Sequence, residues 1–312
     1  MIWPEILGLC LAMAAGAYGL AWLVAPWVVR TGWKLAVWTR YRLMIAGEEN
    51  VPRSGPALML SNHVTWVDGF LLTAACPRHA WFLVNADYIS LPLVRQLAWR
   101  CRMIPVPYRG PRAMRAAIEA ARAALSRGEL LAIFPEGQLT RNGLTGPFRR
   151  GLEAILNGMD GVPVVPAYMD NLWGSSLSFD GGGFLNHWPS GLRHTVPIAF
   201  GPPLASPITA FQARQAVLEA SVRAYAMRPP EDKIPLDSIN PALPRLEDST
   251  LGPLTGSTDN YDVGGVQQTG QKPGTAGVPL PGVALRIVDP SGAELGPDRS
   301  GRVQALIAGS EV

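Results

Sequence analysis

The sequence predicts an α/β domain in which strands and helices alternate in layers, preceded by an apolar N-terminal helix. Three observations carry that prediction. Six short apolar runs lie between residues 57 and 200, and helical patterns fall among them; such alternation builds layered α/β folds. The segment from Pro111 to Gly128 repeats apolar residues at helical spacing. The chain has 312 residues, 48% hydrophobic and only 16% charged, with a mean hydropathy of +0.13. That balance excludes global disorder, which needs many charges and few apolar groups.

The elements follow in chain order. Ile6 to Val29 carry no charge over 24 residues, enough at helical rise to cross a ~30 Å hydrocarbon layer. Glu5 precedes the run, and Arg30, Lys34, Arg40 and Arg42 follow it. Trp3, Trp22, Trp27, Trp33 and Trp38 stand where an interfacial belt belongs. Residues 1–35 are therefore expected to form a membrane-anchoring helix, with Trp33 to Trp38 continuing along the interface. The basic flank places the remainder on the cytoplasmic side of the cytoplasmic membrane. A secretory leader fits poorly, because no positive charge precedes the apolar run.

Ala57–Ser61, Ala80–Val84, Met103–Val106, Leu130–Phe134, Val162–Tyr168 and Thr195–Phe200 read as buried strands. Between Pro111 and Gly128, Met114, Ala117, Ile118, Ala121 and Leu125 make one apolar stripe. Proline suits the first turn and glycine the stop. A second helix is expected over 207–226. Residues 229–270 are rich in Pro, Ser, Thr, Gly and Asp and read as a linker. The last segment, 271–312, contains one good strand, Val283–Val288. Charge divides the same way: residues 1–246 carry +7 and residues 247–312 carry −4.

Composition narrows the chemistry. Three cysteines without a CxxC pair exclude a disulfide scaffold and a thiolate zinc site. Four scattered histidines form no HExxH helix. What remains is a histidine after a predicted strand, in Ser61-Asn62-His63-Val64-Thr65-Trp66-Val67-Asp68. Imidazole is the natural base near neutral pH, and a carboxylate can fix its tautomer. Five residues of ideal helix turn the second side chain away from the first. His63 and Asp68 can meet only if His63 lies in the turn before a helix that carries Asp68.

A second segment, Phe134-Pro135-Glu136-Gly137-Gln138-Leu139-Thr140-Arg141, ends the strongest strand in a loop. Its carboxylate can orient hydroxyls, and its arginine can bind phosphate. Two prolines in Val162-Pro163-Val164-Val165-Pro166 suggest an edge or irregular strand. A basic stretch, Arg100, Arg102, Arg109, Arg112 and Arg115, suits anionic lipid or a phosphate, and for Arg112 and Arg115 a solvated helix face suits at least as well.

In this order, Asn62 to Asp68, Phe134 to Gly137 and Val162 to Pro166 resemble three blocks of the lysophospholipid acyltransferase family, which contains the 1-acylglycerol-3-phosphate acyltransferases. More closely, FPEGQLTRNG, PFRRGLEAIL and YMDNLWGSSLSF look like the acyltransferase part of fused acyltransferase/acyl-carrier-protein synthetase proteins. Gln138 and Leu139 stand where the phosphatidic-acid branch has Thr and Arg. The resemblance implies a glycerolipid-acyltransferase-like α/β domain over 36–228, with a mostly buried mixed sheet flanked by helices. It implies an O-acyltransferase of phospholipid biosynthesis or remodelling. The donor is acyl-CoA or acyl-carrier protein, the acceptor a lysophospholipid or acylglycerol phosphate, and no resident cofactor, metal or nucleic acid is required. His63 and Asp68 are the expected catalytic pair. Asn62, Phe134, Pro135, Glu136, Gly137 and Pro166 are expected to shape the acceptor site, with backbone N–H groups near the third block stabilising the oxyanion. Arg109 and Arg141 are added on residue chemistry alone.

Lys272 to Val283, followed by Arg286 to Pro290, independently resembles an incomplete piece of an adenylate-forming acyl synthetase. This sequence carries no Ser/Thr/Gly-rich phosphate loop ending in Pro-Lys-Gly and no Tyr-Gly-x-Thr-Glu segment. The tail is therefore not expected to activate ATP and is expected to dock weakly or stay loose. Two other readings compete: a truncated bifunctional acyltransferase/synthetase, and a non-catalytic membrane-bound lipid-binding module.

Overall fold

The structure, a computed structural model, describes residues 31–89, 101–106, 110–141, 143–179, 193–232, 282–295 and 302–307, with short stretches and single positions between them. Its centre is a mixed sheet of eight strands among these residues, in the order β1-β7-β6-β2-β5-β3-β4, with β8 beside β6. The strands are β1 (Tyr41–Ala46), β2 (Ala57–Ser61), β3 (Ala80–Asn85), β4 (Met103–Val106), β5 (Leu130–Ile133), β6 (Pro163–Met169), β7 (His194–Phe200) and β8 (Leu204–Ala205). From β4 to β6 all neighbours run parallel, and β7 and β8 pair antiparallel with β6. Six of these strands lie on the six predicted apolar runs. The first and last strands in chain order, β1 and β8, fall outside those runs: β1 is only half-buried although it contains Leu43–Ala46, and β8 is two residues long.

The strand period of two explains how such apolar runs are used. In β2, Ala57 and Met59 face one core, while Leu58 and Leu60 face the other. Leu130 and Ala132 of β5 join the first core, and Leu131 and Ile133 the second. Parallel strands covered on both faces need no polar side. Leu58, Met59, Leu60, Leu130 and Leu131 are fully buried, each contributing roughly 1.5–3 kcal/mol of transfer free energy. The first core is closed by α2 (Asp68–Ala75) and by Val37 of a helix, α1, over 31–40. The second is closed by α3 (Pro111–Ser126), α4 (Gly151–Leu156) and α5 (Ala210–Ala226).

The start and stop of α3 follow the sequence signals. Pro111 opens the helix, and Gly128 just beyond it takes φ +77, the left-handed conformation that favours glycine. The buried stripe is Ala117, Ala121, Ala124 and Leu125, while Met114 remains exposed. In α5, Thr209 accepts from the Gln212 N–H and Gln212 reaches back, a complete capping box.

The third block decides between an edge and an irregular strand. β6 is a central strand between β7 and β2, not an edge. Pro163 is its first residue, where a strand tolerates proline. Pro166 sits where β6 changes partner, after the β8 pairing at Pro163–Val164 and before the β7 pairing from Ala167. At that junction Pro166 needs no N–H, and its carbonyl accepts from Gly201 at 2.7 Å.

Among the described residues no helix is long and apolar enough to cross a membrane. The span expected over Ile6 to Val29 lies almost wholly outside them; its described positions, Gly16, Gly19, Val24, Trp27 and Val28, are helical. Most of the linker and Arg109 also lie outside. At the far end Val283–Val288 pairs with Arg302–Ile307 as an antiparallel hairpin. It packs on α5: Gln215 Nε2 donates to the Leu285 carbonyl at 3.2 Å, and Arg286 stands 3.7 Å from Glu219. Ala284 and Val288 are buried, so this part of the tail is seated on the domain.

Candidate active site

β2 and β5 run parallel, so the ends of both strands emerge on one side of the sheet, where open α/β sheets place their crevices. Asn62 and His63 follow β2, and Phe134 to Gly137 follow β5. His63 lies in the turn before α2, and Asp68 is the first residue of that helix. This is the arrangement their spacing demands, and Nδ1 of His63 stands 2.8 Å from Oδ2 of Asp68.

Asp68 is completely buried. Its Oδ2 accepts the backbone N–H groups of Val64 at 2.6 Å and Thr65 at 3.0 Å, and Oδ1 accepts the Thr65 hydroxyl. All these donors precede the helix by three or four residues. An ionised carboxylate has no proton to donate, so His63 Nδ1 must be the donor. The Nε2 lone pair is then the free one. Nε2 has no hydrogen-bond partner among the described residues, and the His63 side chain is 23% exposed. The imidazole ring stacks on Phe134 at 4.1 Å between centroids and 13° between planes. One bond, one stack and one open nitrogen give a fixed base with a single free face.

The backbone of His63 is held as closely as its ring. Its N–H donates to Oε1 of Glu136 at 2.9 Å, and its carbonyl accepts from Thr140 at 2.8 Å. The other oxygen of Glu136 accepts the Gly146 N–H at 2.7 Å. Burial pushes the Glu136 carboxyl above its ordinary value of 4.5, and the two N–H bonds and the nearby Arg214 guanidinium work against that rise. Gly137 takes φ +69, and the Arg149 guanidinium lies where a Cβ would stand, 2.8 Å from Nε. Arg149 Nε donates to the Glu136 carbonyl at 3.0 Å.

The expected acceptor residues separate into two groups. Asn62 is buried and clamps β2 to β6: its amide donates to the Met169 carbonyl and accepts the Met169 N–H, both at 2.9 Å. Glu136, with both oxygens on backbone N–H groups, is likewise spent within the chain. Pro135 and Pro166 are buried. Phe134, Gly137 and Arg141 remain at the surface of the site, and the Arg141 guanidinium lies 3.7 Å over the Phe179 ring. Near the third block, the Met169 N–H belongs to Asn62 and the Asp170 N–H to the Pro197 carbonyl, so neither is free for an oxyanion.

Sequence reasoning passed over Thr65, Gly146, Arg149 and Arg214. Thr65 carried a faint signal, a hydroxyl three residues before a helical Asp. Arg214 carried another, a charge on the Ala210, Ala213, Val217 stripe of α5. Gly146 carried none.

Comparison with known proteins covers the segment from β1 to the end of β6. Residues 42–170 match the family model described as Acyltransferase. The chain is 28% identical over 156 residues to a 1-acyl-sn-glycerol-3-phosphate acyltransferase of Borreliella burgdorferi, covering 48% of this chain and 61% of that protein. It is 26% identical over 154 residues to the chloroplastic 1-acyl-sn-glycerol-3-phosphate acyltransferase BAT2 of Brassica napus, covering 49% and 44%. The chain thus spans about half the length of the curated relatives it matches. Among solved structures it resembles the 1-acyl-sn-glycerophosphate acyltransferase PlsC of Thermotoga maritima, with a TM-score of 0.45, 19% identity, and coverage of 58% and 70%.

Proposed function

We propose that this chain is an O-acyltransferase that moves a fatty acyl group from an acyl thioester to the free hydroxyl of a lysophospholipid or acylglycerol phosphate. The observation that carries the reading is the fixed imidazole of His63, with Nδ1–H on buried Asp68 and Nε2 open. Nε2 takes the proton of the acceptor hydroxyl as its oxygen attacks the thioester carbonyl. The C–O bond forms, the C–S bond breaks, and the proton passes to the departing thiolate. Asp68 stabilises the imidazolium formed on the way. Such a base contributes roughly 10²–10⁴-fold. The donor is acyl-CoA or acyl-carrier protein, and nothing in this sequence of steps needs a metal.

The reading includes work at a membrane surface. Trp27, Leu35 and Trp38 are 70%, 65% and 62% exposed, and Trp33 of α1 stacks on Phe70 of α2 at 3.9 Å. Trp66, three residues after His63 in sequence, is also exposed. Such an apolar, tryptophan-rich face suits the headgroup layer, from which both acyl chains would reach the site. The C-terminal hairpin fits a remnant of an adenylate-forming acyl synthetase that serves as packing on α5.

His63→Ala tests the reading. Purified full-length chain in vesicles is given labelled acyl-CoA or acyl-carrier protein and a panel of lysophospholipids. The native chain transfers label to at least one acceptor, and the variant loses about 10³-fold of that rate while melting at the native temperature. Equal rates in the two proteins refute it.

A further inference from the structure

Beneath the site lies a polar chain that the reaction above does not use. Arg214 projects from α5, outside the region matched to the acyltransferase family. Its Nε donates to the Gly146 carbonyl and one Nη to the Thr145 carbonyl, both at 2.9 Å. Planar donors gripping two consecutive carbonyls fix a loop more firmly than one bond would. Gly146 in turn donates its N–H to Oε2 of Glu136, and Oε1 of Glu136 accepts the His63 N–H. The path from helix to base is therefore four groups long, and each link has hydrogen-bond length.

The surroundings of Glu136 show why the guanidinium matters. Facing it are the His63 N–H and ring, the Gly146 N–H, Arg214, and the Tyr168 hydroxyl of β6; Arg149 sits on its carbonyl. Tyr168 is pushed up to about 12 by burial and stays protonated, sharing a hydrogen bond with Thr145. Arg214 is thus the permanent cation that favours the ionised form of Glu136. A protonated Glu136 offers one acceptor oxygen fewer, and either His63 or Gly146 loses its tether.

We infer that Arg214 is a positioning residue for acyl transfer: through Gly146 and Glu136 it holds the backbone of His63, so that α5 sets the aim of the base. The inference rests on the proposed reaction for its kinetic consequence and on geometry alone for its structural one. Because the C-terminal hairpin packs on the same helix, α5 ties that hairpin and the base into one body.

The test uses the full chain carrying Arg214→Gln, with Arg214→Lys and Gly146→Ala as companions. A methyl on Gly146 would stand 3.1 Å from Oε2 of Glu136, so the last variant disturbs the same link from the opposite side. Hydrogen exchange of the His63 amide is read first, because it needs no substrate. It should quicken about tenfold in Arg214→Gln, and less in the other two. Transfer kinetics are read second. The expected pattern is a fall of about tenfold in kcat, an unchanged KM, and an acid limb of the kcat profile that moves to higher pH as Glu136 loses its cation. Native exchange at His63 in a folded Arg214→Gln overturns the inference whether or not the native chain transfers acyl groups. Altered exchange with native kcat, KM and pH profile overturns it too. Should Arg214→Gln fail to fold, Arg214→Lys and Gly146→Ala decide by the same two readings.

Discussion

Two buried carboxylates hold this site, and they are built in opposite ways. Asp68 collects its donors from the five residues before it, in a single turn between β2 and α2. Glu136 collects its donors from His63, 73 positions away in sequence, and from Gly146, ten residues further on. The Asp68 turn is a local motif that any chain with this segment could form. The Glu136 node exists only when β2, β5 and the loop beyond β5 are already packed. The first supplies a charge to the imidazole, and the second aligns the backbone that carries it.

Removing the charge should therefore have the largest effect. In Asp68→Asn an amide NH₂ cannot accept from Val64 and Thr65, and the tautomer that opens Nε2 is no longer enforced. Transfer should fall roughly 10²–10⁴-fold. Loss of bonds to a buried charge adds about 1.5–3 kcal/mol of destabilisation per bond. Steady-state kinetics and urea melts of the same preparation separate the two losses. A variant with native kcat would mean that His63 is oriented by Phe134 and the backbone alone.

This contrast also explains what could be read from the sequence. The apolar runs of β2, β5, β6 and β7 are largely buried on both faces, so continuous hydrophobicity marks them without help from context, and β3 and β4 carry the same mark toward the sheet's edge. β1 lies at the sheet's edge with half-exposed residues, and its shorter run, Leu43–Ala46, follows the charged Arg40 and Arg42 and was not read as a strand. His63 and Asp68 were legible as a pair because every requirement lies within six residues. Asn62 and Glu136 were legible as special but not in their roles, since their partners, Met169 and Gly146, are brought by the fold. Pro166 suggested an edge or an irregular strand because proline lacks an N–H, and only the tertiary switch from β8 to β7 shows how a central strand bears it. Arg214 was visible only as a charge on the Ala210, Ala213, Val217 stripe of α5, and nothing in that stripe points to His63, whose tie to it runs through Gly146 and Glu136.

The Glu136 node should respond more mildly and with a distinct pH signature. Glu136→Gln leaves one N–H facing an amide, but it also relieves the burial of a charge. The net stability loss should be about 1 kcal/mol or less, with a clearer fall in transfer rate. Burial raises the folded carboxyl above 4.5, so the native state binds its proton more tightly than the unfolded chain. The stability gained from that proton is present in full below pH 4.5 and is lost as pH rises through the folded value. The native chain's advantage over Glu136→Gln should accordingly be largest near pH 4 and shrink toward neutrality. Urea melts at several pH values measure it. A gap that widens with pH would show the two N–H bonds outweighing burial.

The smallest effect should come from the turn itself. Gly137 holds φ +69, and a Cβ there would stand 2.8 Å from Arg149 Nε and 3.0 Å from its Cδ. Gly137→Ala pays a left-handed backbone cost of about 1–2 kcal/mol. The flexible Arg149 side chain can swing away, since it is exposed and among the described residues its one side-chain bond is to the Glu136 carbonyl. Neither Glu136 oxygen nor the Asp68 turn is touched. Thermal melting should therefore drop by a few degrees, while kcat per folded molecule changes less than threefold and the His63 amide keeps its protection. If kcat instead falls with the melting temperature, the Arg149 contact belongs to the alignment of the base and the Glu136 node is wider than its two N–H bonds.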